Sequence, residues 1–310
     1  MRRARLPGFA LAIPAWAWLA TFFIAPVAVV FWYSFGYKPG LFGTHANDRL
    51  SLDRYVEVLT PTFFDTFVAT MWIALAGTAL CLVIGGPVAY WMAIKAPPSW
   101  RGLLLALVLV PFWTNFLVRT IGWQVILAPE GWVSQAAQAI GLPAFDILYT
   151  RAAVLLGVVY NYLPLMILPL FVAFDRVGEP LREASRDLGA NRLRTFWRVT
   201  LPLARPGIIV GVLLVYIPLM GDYITATVLG GAKGNMVGQM VAAQFQTAQN
   251  WALGSAMAVT LIIVIVLSAG VVGALLWLVT WPLRRASRVV LPASAASASE
   301  PAPEPEGVPA

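Results

Sequence analysis

Apolar residues run in six long blocks along the chain, roughly 9–33, 67–94, 103–127, 152–174, 206–228 and 256–281. Polar stretches at 34–66, 95–102, 128–151, 175–205 and 229–255 separate them. A helix rising about 1.5 Å per residue needs about 20 apolar residues to cross about 30 Å of hydrocarbon. Each block is long enough and nearly free of charge, so the pattern predicts six transmembrane helices. Strands of a transmembrane barrel would alternate over about 10 residues, and these runs do not alternate. The first block follows a basic start, Arg2, Arg3 and Arg5. It is about twice as long as the apolar core of a secretory signal and ends in an aromatic belt of Phe31, Trp32, Tyr33 and Phe35. It is therefore expected to stay on the protein as a membrane anchor.

Composition agrees. Of 310 residues, 60% are apolar and 11% are charged, against roughly 25% charged in an average soluble protein. A soluble domain, a disordered regulator and a coiled coil are all excluded. The net charge of +7 has a pattern that gives orientation. Fifteen of the 21 Lys and Arg fall in the N-terminus, 95–102, 175–205 and the C-terminus. Basic residues concentrate on the cytoplasmic side, so both termini are expected in the cytoplasm, with 34–66, 128–151 and 229–255 outside. The same asymmetry accounts for the high isoelectric point without nucleic acid. Residues 291–310 are almost all Ala, Ser, Pro, Glu and Val and cannot bury enough surface to fold. The expected organisation is one all-α membrane domain, 1–290, and a disordered cytoplasmic tail, 291–310, with Glu300, Glu304 and Glu306 solvated.

With Cys81 as the only cysteine, an intrachain disulfide or thiolate metal site is excluded. His45, the only histidine, reads as a solvated loop residue with no partners for a metal. The outer-loop acids Asp48, Asp53, Glu57, Asp65, Glu130 and Asp146 read as solvated surface. Gly207 and Gly211, spaced small-xxx-small, suit close helix packing within the chain or against a partner subunit.

The stretch 175–205, DRVGEPLREASRDLGANRLRTFWRVTLPLAR, stands out as a charged, patterned segment. Pro180 suits the first turn of a helix. Leu181, Ala184, Ser185 and Leu188 then share one face, with Glu179, Arg182, Glu183, Arg186 and Asp187 as the polar surface. Gly189 suits a left-handed cap. A second short helix follows with Leu193, Phe196 and Trp197 as its apolar face, and Pro202 and Pro206 mark entry into the fifth span. Such a helix either lies on the inner leaflet or docks into a groove of a cytoplasmic partner; composition alone does not choose.

The run E-A-S-x-x-x-G-x9-V-x-L-P, Glu183, Ala184, Ser185, Gly189, Val199, Leu201 and Pro202, resembles the EAA motif of the membrane permease subunits of type I ABC importers. The family pattern has Ala where Ser185 stands and Ile where Val199 stands, both mild changes in size. The resemblance covers about residues 10–285 and implies the type I permease fold with six transmembrane helices. It implies that this loop is a coupling helix seated in a cytoplasmic ATPase dimer, with Glu183, Ala184 and Gly189 at its central positions. ATP and Mg would then be bound by the ATPase, leaving no cofactor, metal or catalytic group in this chain. A second homologous permease and an extracytoplasmic substrate-binding protein are the other implied partners, beside the solute and the bilayer. The chain also lacks a phosphate loop, G-x-x-x-x-G-K-[ST]; Gly230, Gly231, Ala232, Lys233 and Gly234 have the wrong spacing and read as a flexible turn.

Three further runs, PFWTNFLVRTIGW from Pro111, IPLMGDYITATVLGG from Ile217 and NWALGSAMA from Asn250, resemble the spermidine/putrescine branch, with opine and phosphonate branches as similar alternatives. A polyamine is an extended polycation and needs carboxylates and aromatic faces along its path. Asp222 is the only acid within a predicted span, about 22 Å up the fifth helix at about 1.5 Å per residue, and an intramembrane carboxylate marks a functional site by default. Asp222 with Tyr223 offers the required chemistry, and Pro218 and Gly221 can break the helix beside them. Trp113, Asn115 and Arg119 are further candidates for the pathway. The alternative for Asp222 is an ion pair with Arg119 that fastens the third and fifth helices. A secondary transporter would need ion-coupling charges near the midplane, and an intramembrane enzyme would need paired catalytic groups; one His, one Cys and one buried acid supply neither.

Overall fold

The computed structural model describes residues 8–285 except 41, 142, 144–146 and 232–233, with side chains described over 12–280. The tail 291–310, the N-terminal arginines and Asp146 lie outside the described residues. Among the described residues the chain is helical without strands, apart from one isolated bridge between Tyr37 and Ala46. In order, the helices are α1 Gly8–Leu19, α2 Ala25–Tyr33, α3 Asp53–Val58, α4 Pro61–Tyr90, α5 Pro98–Trp113, α6 Phe116–Leu127, α7 Trp132–Ala139, α8 Arg151–Asp175, α9 Glu179–Asp187, α10 Arg192–Thr195, α11 Leu201–Met220, α12 Val237–Gln246 and α13 Trp251–Arg285.

Among the described residues, five continuous stretches are long and apolar enough to cross a membrane: Ala12–Tyr33, Pro61–Lys95, Arg151–Asp175, Arg192–Met220 and Trp251–Thr280. The expected third span is not straight. Pro98–Trp113 and Phe116–Ala139 qualify only as a pair, bent by 87°, and counting that pair as one broken span gives six. The break has local causes. Pro111 lacks an N–H, Thr114 is extended, and the Asn115 side chain caps α6 by accepting from the Leu117 and Val118 amides. The expected fifth span is shifted: its helical stretch begins at Arg192 and ends at Met220, short of the expected 228.

Widened π-helical turns occur at Ala20–Ile24, Trp91–Lys95, Phe196–Thr200 and Ala226–Gly230, the first three within or at the end of spans. In the first three a proline, Pro26, Pro97 or Pro202, stands two residues after the turn. A proline ring collides with the carbonyl four residues back. Here the residue before each proline donates five residues back: Ala25 to Ala20, Ala96 to Trp91 and Leu201 to Phe196. At Pro26 and Pro202, where the helix continues, the extra residue moves the carbonyl aside; at Pro97 the helix ends instead, with Ala96 extended.

The core is formed by α4, α8 and α11, with Met166, Leu170, Val215, Tyr216 and Leu219 fully enclosed. Close approach needs small residues. A Cβ at Gly207 would stand 2.3 Å from the Ala173 Cβ and 2.7 Å from the Pro169 carbonyl oxygen. The Gly207/Gly211 pair therefore packs α11 on α8 within the chain. A smaller core of Val58, Phe67, Val237, Leu253 and Met257 joins α3, α4, α12 and α13. The first span lies outside, against α13, with no residue of its apolar window buried.

Three expectations change. Arg205, read as a loop cation, is a buried residue of α11; its Nη2 donates to the Trp277 carbonyl (2.7 Å) and its guanidinium lies over the Trp277 ring. His45 is not merely solvated: it stacks on Tyr33 at 3.8 Å and hydrogen-bonds Asn47. Gly231, in the expected flexible turn, is packed against the Tyr149 ring at φ +51°.

Candidate functional site

Two sites sit at the two ends of α11. At its start, α9 projects from the bundle with no buried residue. Gly178 (φ +65°) turns the chain into it, and Pro180 occupies its first turn, where the missing N–H has no partner to lose. Gly189 ends it at φ +81°, with the Gly189 amide donating to Arg186 (2.8 Å) and the Ala190 amide to Ser185 (3.1 Å). This is the left-handed cap expected from the sequence. Asn191 caps α10 through the Arg194 amide. The Ser185 hydroxyl bonds the Thr195 hydroxyl (3.1 Å), tying α9 to α10.

At 100° per residue, Leu181, Ala184 and Leu188 fall within an arc of about 60°, and Glu179, Arg182 and Arg186 within another, centred about 160° away. Leu181 and Leu188 are exposed, Leu188 by 89%. Ser185, expected on that apolar face, turns toward Thr195 instead. Glu183 and Ala184 are exposed beside the leucines. The remaining motif residues do other work. Val199 lies in the widened turn, Leu201 opens α11 and Pro202 is buried at its first turn. Phe196 packs edge-on to Tyr90, which packs edge-on to Phe174. The motif thus joins an exposed amphipathic helix to the base of a core helix.

At the other end, α11 stops at Gly221, three residues after Pro218. Asp222 is not part of a continuous span. It is buried and caps the next helical segment, its Oδ1 accepting from the Thr225 amide (3.0 Å) and its Oδ2 from the Thr225 hydroxyl (2.6 Å). Gly238 lies under the break: a Cβ there would stand 2.8 Å from the Gly221 carbonyl oxygen. Tyr223 beside it is half exposed.

Arg119 and Asp222 form no ion pair. The Arg119 Nη1 donates to the Pro111 carbonyl (2.7 Å) across the α5–α6 break, and its guanidinium lies 5.6–6.0 Å from the Phe112, Phe116 and Tyr160 rings. Tyr162, buried on α8, lies close to both residues. Asn161 is buried, donates to Thr120 (3.1 Å) and leaves its Oδ1 without a partner. Asn161, Tyr162 and Thr225 were not singled out from the sequence; an asparagine inside an apolar span was the available signal. Trp113 is 82% exposed and Asn115 is spent on its cap, so neither joins this polar cluster.

Known proteins resemble this chain in sequence and in fold. Residues 85–281 match the family model for the binding-protein-dependent transport system inner membrane component. The spermidine/putrescine transport system permease protein PotB of Escherichia coli (strain K12) is 37% identical over 275 residues, 88% of this chain and 95% of that one. PotB of Haemophilus influenzae is 38% identical over 253 residues, 81% of this chain and 87% of that one. A crystal structure of a bacterial ABC transporter that imports the acidic polysaccharide alginate contains a chain with the same fold, at TM-score 0.68 and 15% identity over 86% of this chain and 94% of that one. With its apolar spans, its motif-bearing α9 and this extent of similarity, the chain belongs to the family of inner-membrane components of binding-protein-dependent transport systems, the permease subunits of ABC importers.

Proposed function

We propose that this permease serves an importer of polyamines such as spermidine or putrescine. The observation that carries the reading is the 37% identity to a spermidine/putrescine permease over 88% of the chain. A buried carboxylate at a helix break, with an aromatic ring beside it, fits a polycationic solute. In this reading both termini and α9 are cytoplasmic. The exposed face around Leu181, Glu183, Ala184 and Leu188 docks into a partner ATPase dimer, which holds ATP and Mg. Gly189 and Ser185 fix the shape of that helix. Val199, Leu201 and Pro202 carry its movement into α11. A second homologous permease completes the passage, an external binding protein delivers the solute, and this chain performs no bond chemistry. Asp222 and Tyr223 contribute to the pathway, with Trp113, Asn115 and Arg119 shaping the neighbouring break.

The test is uptake of labelled spermidine and putrescine by cells with the whole transporter, with and without this gene, and with Asp222→Asn. Asparagine is as good a cap as aspartate, so this change removes charge while keeping the turn. Polyamine uptake should need the gene and fall at least tenfold in the variant at unchanged membrane abundance. Gene-independent uptake refutes the solute; unchanged kinetics in the variant removes Asp222 from the pathway.

A further inference from the structure

We propose that an anionic phospholipid binds at the α9 end of the bundle, its headgroup in a basic pocket beneath α9 and an acyl chain in the adjoining apolar groove. The pocket, about 190 Å³, lies between α9–α10 and the widened turn that ends the α4 span. Lys95, Arg182, Arg186 and Arg192 line it, and Glu179 is its only acid. Among the described residues none of these cations is in an ion pair. Arg182 is oriented by its Nε, which donates to the Gly178 carbonyl (3.0 Å). Four cations against one carboxylate call for an anion.

The groove beside it holds about 740 Å³ and is lined by apolar side chains, among them Val83, Tyr90, Phe174, Trp197 and Leu201, with Gly86 in its wall. Tyr90 lines both spaces. A cationic cup continuous with an apolar trough matches an anionic amphiphile at a bilayer edge, and basic pockets between spans are suited to lipid headgroups. Trp91 and Trp197, each about half exposed, stand at this level as interfacial aromatics do. Arg182 and Arg186 lie on the face of α9 opposite Leu181, Ala184 and Leu188. Lipid and docking partner can therefore hold α9 at the same time, and the lipid would clamp it to the bundle. Placing this lipid in the cytoplasmic leaflet rests on the orientation given above; the site itself does not.

The test is native mass spectrometry of the purified, assembled transporter after exchange with phosphatidylglycerol or phosphatidylcholine. Wild type should retain phosphatidylglycerol at least tenfold over phosphatidylcholine. The double change Arg186→Gln with Arg192→Gln should abolish that preference with subunit stoichiometry intact. Gly86→Leu should also expel the lipid; a Cβ at Gly86 meets nothing within 4 Å, and leucine favours the helix. Equal retention of both lipids, or full retention in both variants, overturns the proposal. So does loss of the second permease from Gly86→Leu with phosphatidylglycerol still bound, which would make the groove a subunit interface. Retention with α9 labelled from the outer side would correct the orientation and leave the lipid site standing.

Discussion

Replacing Gly189 tests whether the shape of α9 carries the coupling. Its φ of +81° is left-handed, and a Cβ there meets no atom within 4 Å. The cost of a side chain is therefore a backbone cost, about 1–2 kcal/mol for an ordinary L-residue and toward about 3 kcal/mol for a β-branched one. Asparagine tolerates this region best. About 2 kcal/mol shifts a local equilibrium about 30-fold, since each 1.4 kcal/mol is about tenfold. The capping bonds at stake are those of the Leu188, Gly189 and Ala190 amides. Because α9 buries nothing, their loss should unravel α9 and leave the bundle folded. The assay is the transporter in proteoliposomes, read as solute moved per ATP hydrolysed, with a thermal melt alongside. Gly189→Asn should stay near wild type, Gly189→Ala should lose part of the coupling and Gly189→Val most of it, with melting within about 2 °C throughout. A Gly189→Val protein that transports normally, or an asparagine variant as poor as the valine one, refutes the backbone argument; the second would mean that bulk against the partner matters instead.

Other sites separate fold from function. Gly207→Val should cost about 3 kcal/mol or more, because the Ala173 Cβ and the Pro169 carbonyl cannot rotate away; Gly122→Ala, with open space around it, should be neutral or slightly stabilising. Thermal melting in detergent distinguishes the two. Arg205→Met should cost about 1.5–3 kcal/mol through the lost bond to the Trp277 carbonyl. It should loosen α13 from α11, seen as faster proteolysis of the C-terminal segment; unchanged proteolysis would contradict that role.

What the sequence discloses follows from how local each cause is. Twenty apolar residues must cross the bilayer whatever surrounds them, so the spans are legible to within their ends. The α9 cap is legible because Gly189 carries its own reason for being there. The third span's break is not, because Pro111, Thr114 and Asn115 each occur in unbroken contexts, and only the Asn115 cap and the Arg119 bond to the Pro111 carbonyl, seen together, show that the bend is held. Asp222 reads from sequence as a charge facing a pathway, and its hydrogen bonds to Thr225 appear only when the helix is seen to stop. Arg205 counts as a loop cation until Trp277, 72 positions away, supplies its acceptor.

The widened turn at Phe196–Thr200 gives the motif's spacing a meaning. An extra residue in a helix is a phase slip, and Pro202, having no N–H, pins the slip against the base of α11. The helical stretch from Arg192 to Leu201 therefore behaves as a clocking length: it fixes the azimuth at which the chain leaves α11 toward α9. Removing one residue from that helical stretch would turn α9 by about 100° about the helix axis while leaving the side chains of α9 unchanged.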